Sequence, residues 1–248
     1  MVILKSPSEI ERMRVSCRMV AEVLEHLKEM VQPGVTTLEL DQFAEREAVK
    51  RGARPAFKGY GGYGYSLCCS INDQVVHGIP SSRKLEPGDI LSLDFGVLYD
   101  GFYGDAAVTV PVGDISGVAG RLIAVTEKSL ALAIDKAAPG NRLSDISFAV
   151  QSYVERHGFS AVRDFVGHGI GASLHESPQI PNYGSPGKGV KLKPGMVFAI
   201  EPMINEKGPG VRVLDDGWTA VTLDQGLSAH FEHTVAITDN GPDILTRI

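Results

Sequence analysis

Five landmarks occur twice, in the same order, along this 248-residue chain, and a chain that repeats itself on that scale is expected to fold as two similar units sharing one interface. Pro33-Gly34 introduces a segment closing on Val49-Lys50-Arg51-Gly52, and Pro139-Gly140 introduces one closing on Val154-Glu155-Arg156-His157-Gly158. His77-Gly78-Ile79 is echoed by His168-Gly169-Ile170. Leu85-Glu86-Pro87-Gly88 ends six residues before Asp94, and Leu192-Lys193-Pro194-Gly195 ends six before Glu201. Asp105-Ala106-Ala107-Val108-Thr109-Val110 returns as Glu232-His233-Thr234-Val235-Ala236-Ile237. Any one match is short enough to arise by chance; five in order predict two copies of a helix-plus-antiparallel-strand unit about a pseudo-two-fold axis. The fold class is therefore α+β, with repeats of approximately 1–115 and 116–248 inside a single domain, because no shift in composition marks a linker.

Local signals fill in the units. Ser6-Pro7-Ser8-Glu9 is a capping box with proline at the first helical position, and apolar residues recur at three and four from Ile10 to Val31. Thr36 to Glu39 caps a second helix running to about Gly52; Val118 to Ala138 and Leu143 to Gly158 read as a third and fourth. Strands are predicted at Ser66–Ile71, Gln74–His77, Val166–His168, Val197–Glu201, Val211–Leu214, Thr219–Leu223 and Phe231–Thr238. Asp100-Gly101 suits a two-residue hairpin turn, which pairs Tyr99 with Phe102, sets Asp94 opposite Ala107, and makes Asp105 its diagonal neighbour on the same face. Lys58 to Tyr65, where glycine and tyrosine alternate, reads equally as a flexible connection or as the wall of an apolar pocket.

Composition enters by exclusion. A net charge of −6 without a basic run argues against nucleic acid as the main partner. No apolar stretch approaches the roughly 20 residues of a membrane span, and the first residues lack a signal-peptide core. Three cysteines, two of them adjacent, make a disulfide framework unattractive and point to a reducing cytoplasm.

The repeat gives Asp94 and Asp105 counterparts in Glu201 and Glu232, each at the end or start of an apolar strand. Taken alone, the acidic hairpin is as well read as the polar face of an edge. Four carboxylates converging between two halves would be intolerable unless divalent cations neutralised them. A histidine from one His-Gly-Ile unit would complete a nitrogen and oxygen donor set suited to Mn²⁺, Fe²⁺, Co²⁺ or Zn²⁺.

The order Asp94, Asp105, His168, Glu201, Glu232 resembles the five-ligand dinuclear site of the methionine aminopeptidases and their relatives of the "pita-bread" fold. Lys58-Gly59-Tyr60, Val76-His77-Gly78-Ile79-Pro80, Asp100 to Asp105, Gly167 to Gly171, His175-Glu176, Glu201-Pro202, Asp216-Gly217-Trp218 and Phe231 to Thr234 extend the resemblance over nearly the whole chain. Only 31 positions separate Glu201 from Glu232, too few for the insertion of the type II enzymes, and the chain starts at the first helix, so the bacterial type I group is the one it resembles.

That resemblance implies the following. Asp94 chelates one of two divalent metal ions, Asp105 and Glu232 bridge both, and His168 with Glu201 completes the second. Metal-activated water attacks the first peptide bond, with Glu201 as proton shuttle, His175 as donor to the scissile carbonyl, and His77 near the departing amide. Phe57, Tyr60, Tyr63, Cys68, Leu174, Met203 and Trp218 wall the methionine pocket, together with His77 and His175. Phe57 and Leu174 stand where some relatives carry cysteine and phenylalanine. His230 replaces a familiar glutamine on the face of Glu232, and Gly96 replaces a hydroxyl residue. His26, His157 and His233 are read as structural, the last because it must face away from Glu232. The implied substrate is the N-terminus of a nascent polypeptide, initiator methionine followed by a small residue, met at the ribosome by a monomeric cytoplasmic enzyme without nucleic-acid or membrane partners. An Xaa-Pro exopeptidase and a non-catalytic binding protein of the same fold are the alternatives.

Overall fold

The computed structural model describes residues 2–248. Its first helix, α1 (Pro7–Met30), opens on the expected capping box: the Ser6 hydroxyl accepts from Glu9 N while the Glu9 carboxylate accepts from Ser6 N. Thr36 and Glu39 do the same for α2 (Thr37–Lys50). Helices α3 (Gly117–Lys136) and α4 (Leu143–Arg156) complete the set within two residues of their predicted ends.

A nine-stranded antiparallel sheet runs through both halves. Its main path is Arg54–Pro55, Ile90–Tyr99, Phe102–Pro111, Glu232–Thr238, Val197–Ile200, Gly167–Gly169 and Glu176–Ile180; Leu67–Ile71 and Gly241–Ile244 pair to its sides. The halves meet where Phe102–Pro111 pairs with Glu232–Thr238, Ala107 lying opposite Glu232. Each half carries its own core. Val20, Leu24 and Leu27 of α1 and Leu40 and Ala44 of α2 pack on Leu67, Leu91, Leu93 and Phe95, whereas α3 and α4 bring Leu122, Leu130, Ile146 and Val150 onto Phe198, Ile200 and Val235.

The paired Pro-Gly landmarks share backbone features. Gly34 and Gly140 both have φ of 95°, in the left-handed region that favours glycine. Gly34 N donates to Leu85 O as Gly140 N does to Leu192 O, and the caps Thr36 and Arg142 form matching isolated bridges to Lys84 and Lys191. These bonds tie each Pro-Gly turn to the Leu-x-Pro-Gly turn of the same half, which explains why both landmarks recur together.

The hairpin follows its turn chemistry. Asp100 and Gly101 have φ of 47° and 79°, Tyr99 pairs with Phe102, and Asp94 lies opposite Ala107. Two small three-stranded sheets flank the large one: Gln74–Val76, Ala220–Thr222 and Val211–Val213, all three expected from the sequence, pair in one, whereas Ser160–Ala161, Met203–Asn205 and Ser228–His230, which form the other, escape the sequence patterns. They form the banks of the cavity described next.

Candidate metal centre and cavity

Register places the carboxylates. Cys68 pairs with Asp94, Asp94 with Ala107, and Ala107 with Glu232, so these four side chains form a row on one face of the sheet. Ala107 fills its place with only a methyl group, leaving room between two acids. Asp105, two residues before Ala107, lies on the same face, opposite Gly96. A Cβ on Gly96 would stand 3.0 Å from Asp105 Oδ1, so the glycine makes room for that carboxylate.

The second half supplies the remaining donors. His168 pairs with Ala199 two residues before Glu201. Its flanking glycines are needed because neighbouring backbone lies against them: a Cβ on Gly167 would meet Ala199 O at 2.5 Å, and one on Gly169 would meet Ser177 O at 2.4 Å. His168 Nδ1 lies 2.9 Å from Gly169 O. A carbonyl can only accept, so Nδ1 carries the hydrogen and Nε2 presents a lone pair. That lone pair faces Glu201 Oε1 at 3.5 Å. Two acceptors facing one another are repulsive unless a cation lies between them.

Other orphaned atoms say the same. Asp94 Oδ1, Asp105 Oδ1 and Glu232 Oε1 are buried without a hydrogen-bond partner, a costly state that metal coordination relieves, and His230 Nε2 beside them is buried and unpartnered as well. Asp105, His168 and Glu232 offer donor atoms within 4.8 Å of one another, as do Glu201, His230 and Glu232. The residues therefore fit divalent cations bound by oxygen and imidazole nitrogen.

Electrostatics are as extreme as this crowding demands. Burial, reinforced by the charge of Glu201 and opposed by His230, pushes Asp94 up to about 7. Burial and then the neighbouring carboxylates drive Asp105 and Glu232 far above the ordinary carboxylate range, and burial raises Glu201. Burial draws His168 and His77 down to about 4 and lowers His175 and His230, so these imidazoles are neutral at pH 7.

These groups lie in a cavity of about 270 Å³ that also gathers Phe57, Tyr60, Tyr63, Cys68, His77, Leu174, His175, Met203 and Trp218. The glycine–tyrosine loop is thus a wall. Within it His175 Nδ1 is 2.7 Å from the Tyr60 hydroxyl, and its ring centroid is 4.4 Å from that of His168. His77 has φ of 59° and packs edge-on against Phe165 and Trp218. Asp216 presents Trp218 by accepting from Trp218 N and Thr219 N, each at 2.8 Å. His233 faces away, toward the Thr246 hydroxyl at 2.9 Å, and His26 and His157 bond to carbonyls of their own helical segments.

Sequence reasoning missed Val76, Asp164, Phe165 and Val166 in the wall. Asp164, Phe165 and Val166 lie between the short strand Ser160–Ala161 and His168, where no periodicity singles them out. Also unforeseen is Lys5, whose ammonium forms a buried ion pair with Glu176 beside His175 and ties the N-terminal segment to that loop.

Comparison with known proteins agrees with this geometry. Residues 11–239 match the model of metallopeptidase family M24. The chain is 54% identical to methionine aminopeptidase 1 of Bacillus subtilis, over 100% of both chains. The crystal structure of methionine aminopeptidase from Thermotoga maritima superposes with a TM-score of 0.98 at 48% identity, again over 100% of both. The prolidase from Pyrococcus horikoshii shares the fold at a TM-score of 0.81, with 23% identity; this chain covers 64% of it. Cavity, fold and full-length likeness agree: the chain belongs to metallopeptidase family M24 and, within it, to the methionine aminopeptidases.

Proposed function

We propose that this protein removes the initiator methionine from nascent polypeptides whose second residue is small, using two divalent cations held by Asp94, Asp105, His168, Glu201 and Glu232. The observation that carries the reading is the convergence of four carboxylates and a lone-pair imidazole, with orphaned oxygens, at one wall of a cavity otherwise lined by apolar and aromatic groups. When bound, the cations supply Lewis acidity and lower the pKa of water in the cavity.

The chain's own groups do the rest. Glu201 takes the proton of the attacking water at a carboxylate oxygen and delivers it to the departing amide nitrogen. His175, held by the Tyr60 hydroxyl, donates to the scissile carbonyl oxygen as it gains charge. His77 stands near the departing amide, its ring fixed between Phe165 and Trp218. Phe57, Tyr60, Tyr63, Cys68, Leu174, Met203 and Trp218 line the cavity and would enclose the methionine side chain. The proposal extends to a monomeric enzyme that meets nascent chains at the ribosome in the cytoplasm, since an initiator methionine is first exposed there. Among the described residues no helix is long and apolar enough to cross a membrane.

The test is turnover of Met-Ala-Ser by metal-stripped protein given Co²⁺, Mn²⁺, Fe²⁺ or Zn²⁺ in turn, followed by a Met-Xaa series. Activity should return only with cation and should fall steeply from Ala to Leu or Arg at the second position. Equal turnover along the series refutes the selectivity, and preferential cleavage of an Xaa-Pro dipeptide moves the protein to the prolidase branch.

A further inference from the structure

Glu201 lies between two imidazoles at the same distance: His168 Nε2 is 3.5 Å from Oε1 and His230 Nε2 is 3.5 Å from Oε2. The two histidines are not equivalent. Gly169 O fixes His168 with its hydrogen on Nδ1, leaving a bare Nε2. His230 Nε2 is buried and unpartnered, and what it faces is a carboxylate oxygen, which can only accept. Only an Nε2 that carries the hydrogen turns this contact into a bond, and a nitrogen carrying hydrogen there cannot ligate a cation.

We propose that His230 is a positioning residue for Glu201: its Nε2–H donates to Oε2, leaving Oε1 to the cation shared with His168. The assignment rests on the five-residue cation site proposed above. His230 is well placed for such work. Its N donates to Thr109 Oγ1, that hydroxyl donates back to His230 O, each at 2.8 Å, and the Ser92 hydroxyl contacts Thr109 Oγ1 at 2.8 Å. His230 also pairs with Met203 on the neighbouring strand, so backbone drift is blocked from two sides. A carboxylate that both binds a cation and relays a proton gains from a donor on its outer oxygen, because the donor fixes which oxygen does which.

The tautomer can be read directly by nitrogen-15 NMR of histidine-labelled, Zn²⁺-loaded wild-type protein, with His230→Gln identifying the resonance. His230 should carry its hydrogen on Nε2 and His168 on Nδ1; an unprotonated Nε2 at His230 overturns the proposal. Kinetics give a second reading. Glutamine can donate to Glu201 and methionine cannot, so His230→Gln should keep kcat within about threefold while His230→Met loses about tenfold or more, with KM little changed in both. Unchanged kcat in His230→Met, or an equal loss in both variants, overturns it. Calorimetry separates the two layers: if wild type binds no Zn²⁺ the site itself fails, whereas binding with the wrong tautomer removes only the role of His230.

Discussion

His77 and His168 occupy matching places in the two halves, yet their backbones send them to different neighbours. His168 sits in a strand with its Nε2 toward Glu201, whereas His77 has φ of 59° and its ring rests against Phe165 and Trp218. His77→Ala should therefore retain Mn²⁺ affinity by calorimetry while turnover of Met-Ala-Ser falls by about 10²-fold or more; loss of the cation in that variant contradicts the assignment. Glu201→Gln should depress kcat by a similar factor, because an amide cannot take the proton. Gly96 marks the tight spot beside Asp105: a Cβ there would stand 3.0 Å from both Asp105 Oδ1 and Ala56 Cβ.

Among the elements, the hairpin carries two of the five proposed ligands, Asp94 and Asp105, and α1 crosses it closely. A Cβ on Gly104 would meet Cys17 N at 2.6 Å and Ser16 C at 2.8 Å, backbone atoms that cannot rotate away. Gly104→Ala should force α1 off the sheet and cost about 2 kcal/mol or more of stability, read as a lowered midpoint in urea with an unchanged slope. The hairpin and all four helices were legible because their signals are local: Asp-Gly for the turn, capping boxes for α1 and α2, Pro-Gly for the stops. The strand Glu176–Ile180 was not. It ends the main path of the sheet, where a proline costs no ladder bond, and its three polar residues and proline hide the period of two. Met203–Asn205 and Ser228–His230 are three residues each, too short for any alternation to register.

Across the whole molecule, four buried carboxylates make stability depend on pH and on cation together. Asp94, pushed up to about 7, binds its proton more tightly folded than unfolded. Its contribution is full below the ordinary carboxylate pKa and is lost as pH rises through about 7. Histidines cannot mask this above neutrality, because His77 and His168, drawn down to about 4, are neutral when folded and nearly so when unfolded. They act lower, removing stability as pH falls from about 6.5 through about 4. Chelator-treated protein should thus melt at a lower temperature at about pH 8 than at about pH 6.5, and saturating Mn²⁺ should abolish that fall. A flat or rising midpoint without cation contradicts the buried cluster.

The sequence alone determined the order of the paired landmarks, the helices and the hairpin turn, because each is written in local chemistry or in order along the chain; the cavity residues it named only through a family resemblance, and Val76, Asp164, Phe165 and Val166 were missed. The glycine–tyrosine loop stayed undecided at that level, since composition does not say what a loop packs against. Tertiary structure decided it as a wall, set Ala107 as the gap between Asp94 and Glu232, brought Lys5 to Glu176, and turned two imidazoles onto opposite oxygens of Glu201. Those relations depend on cross-strand register and on contacts between residues far apart in sequence, and such contacts exist only once the two halves have closed on one another.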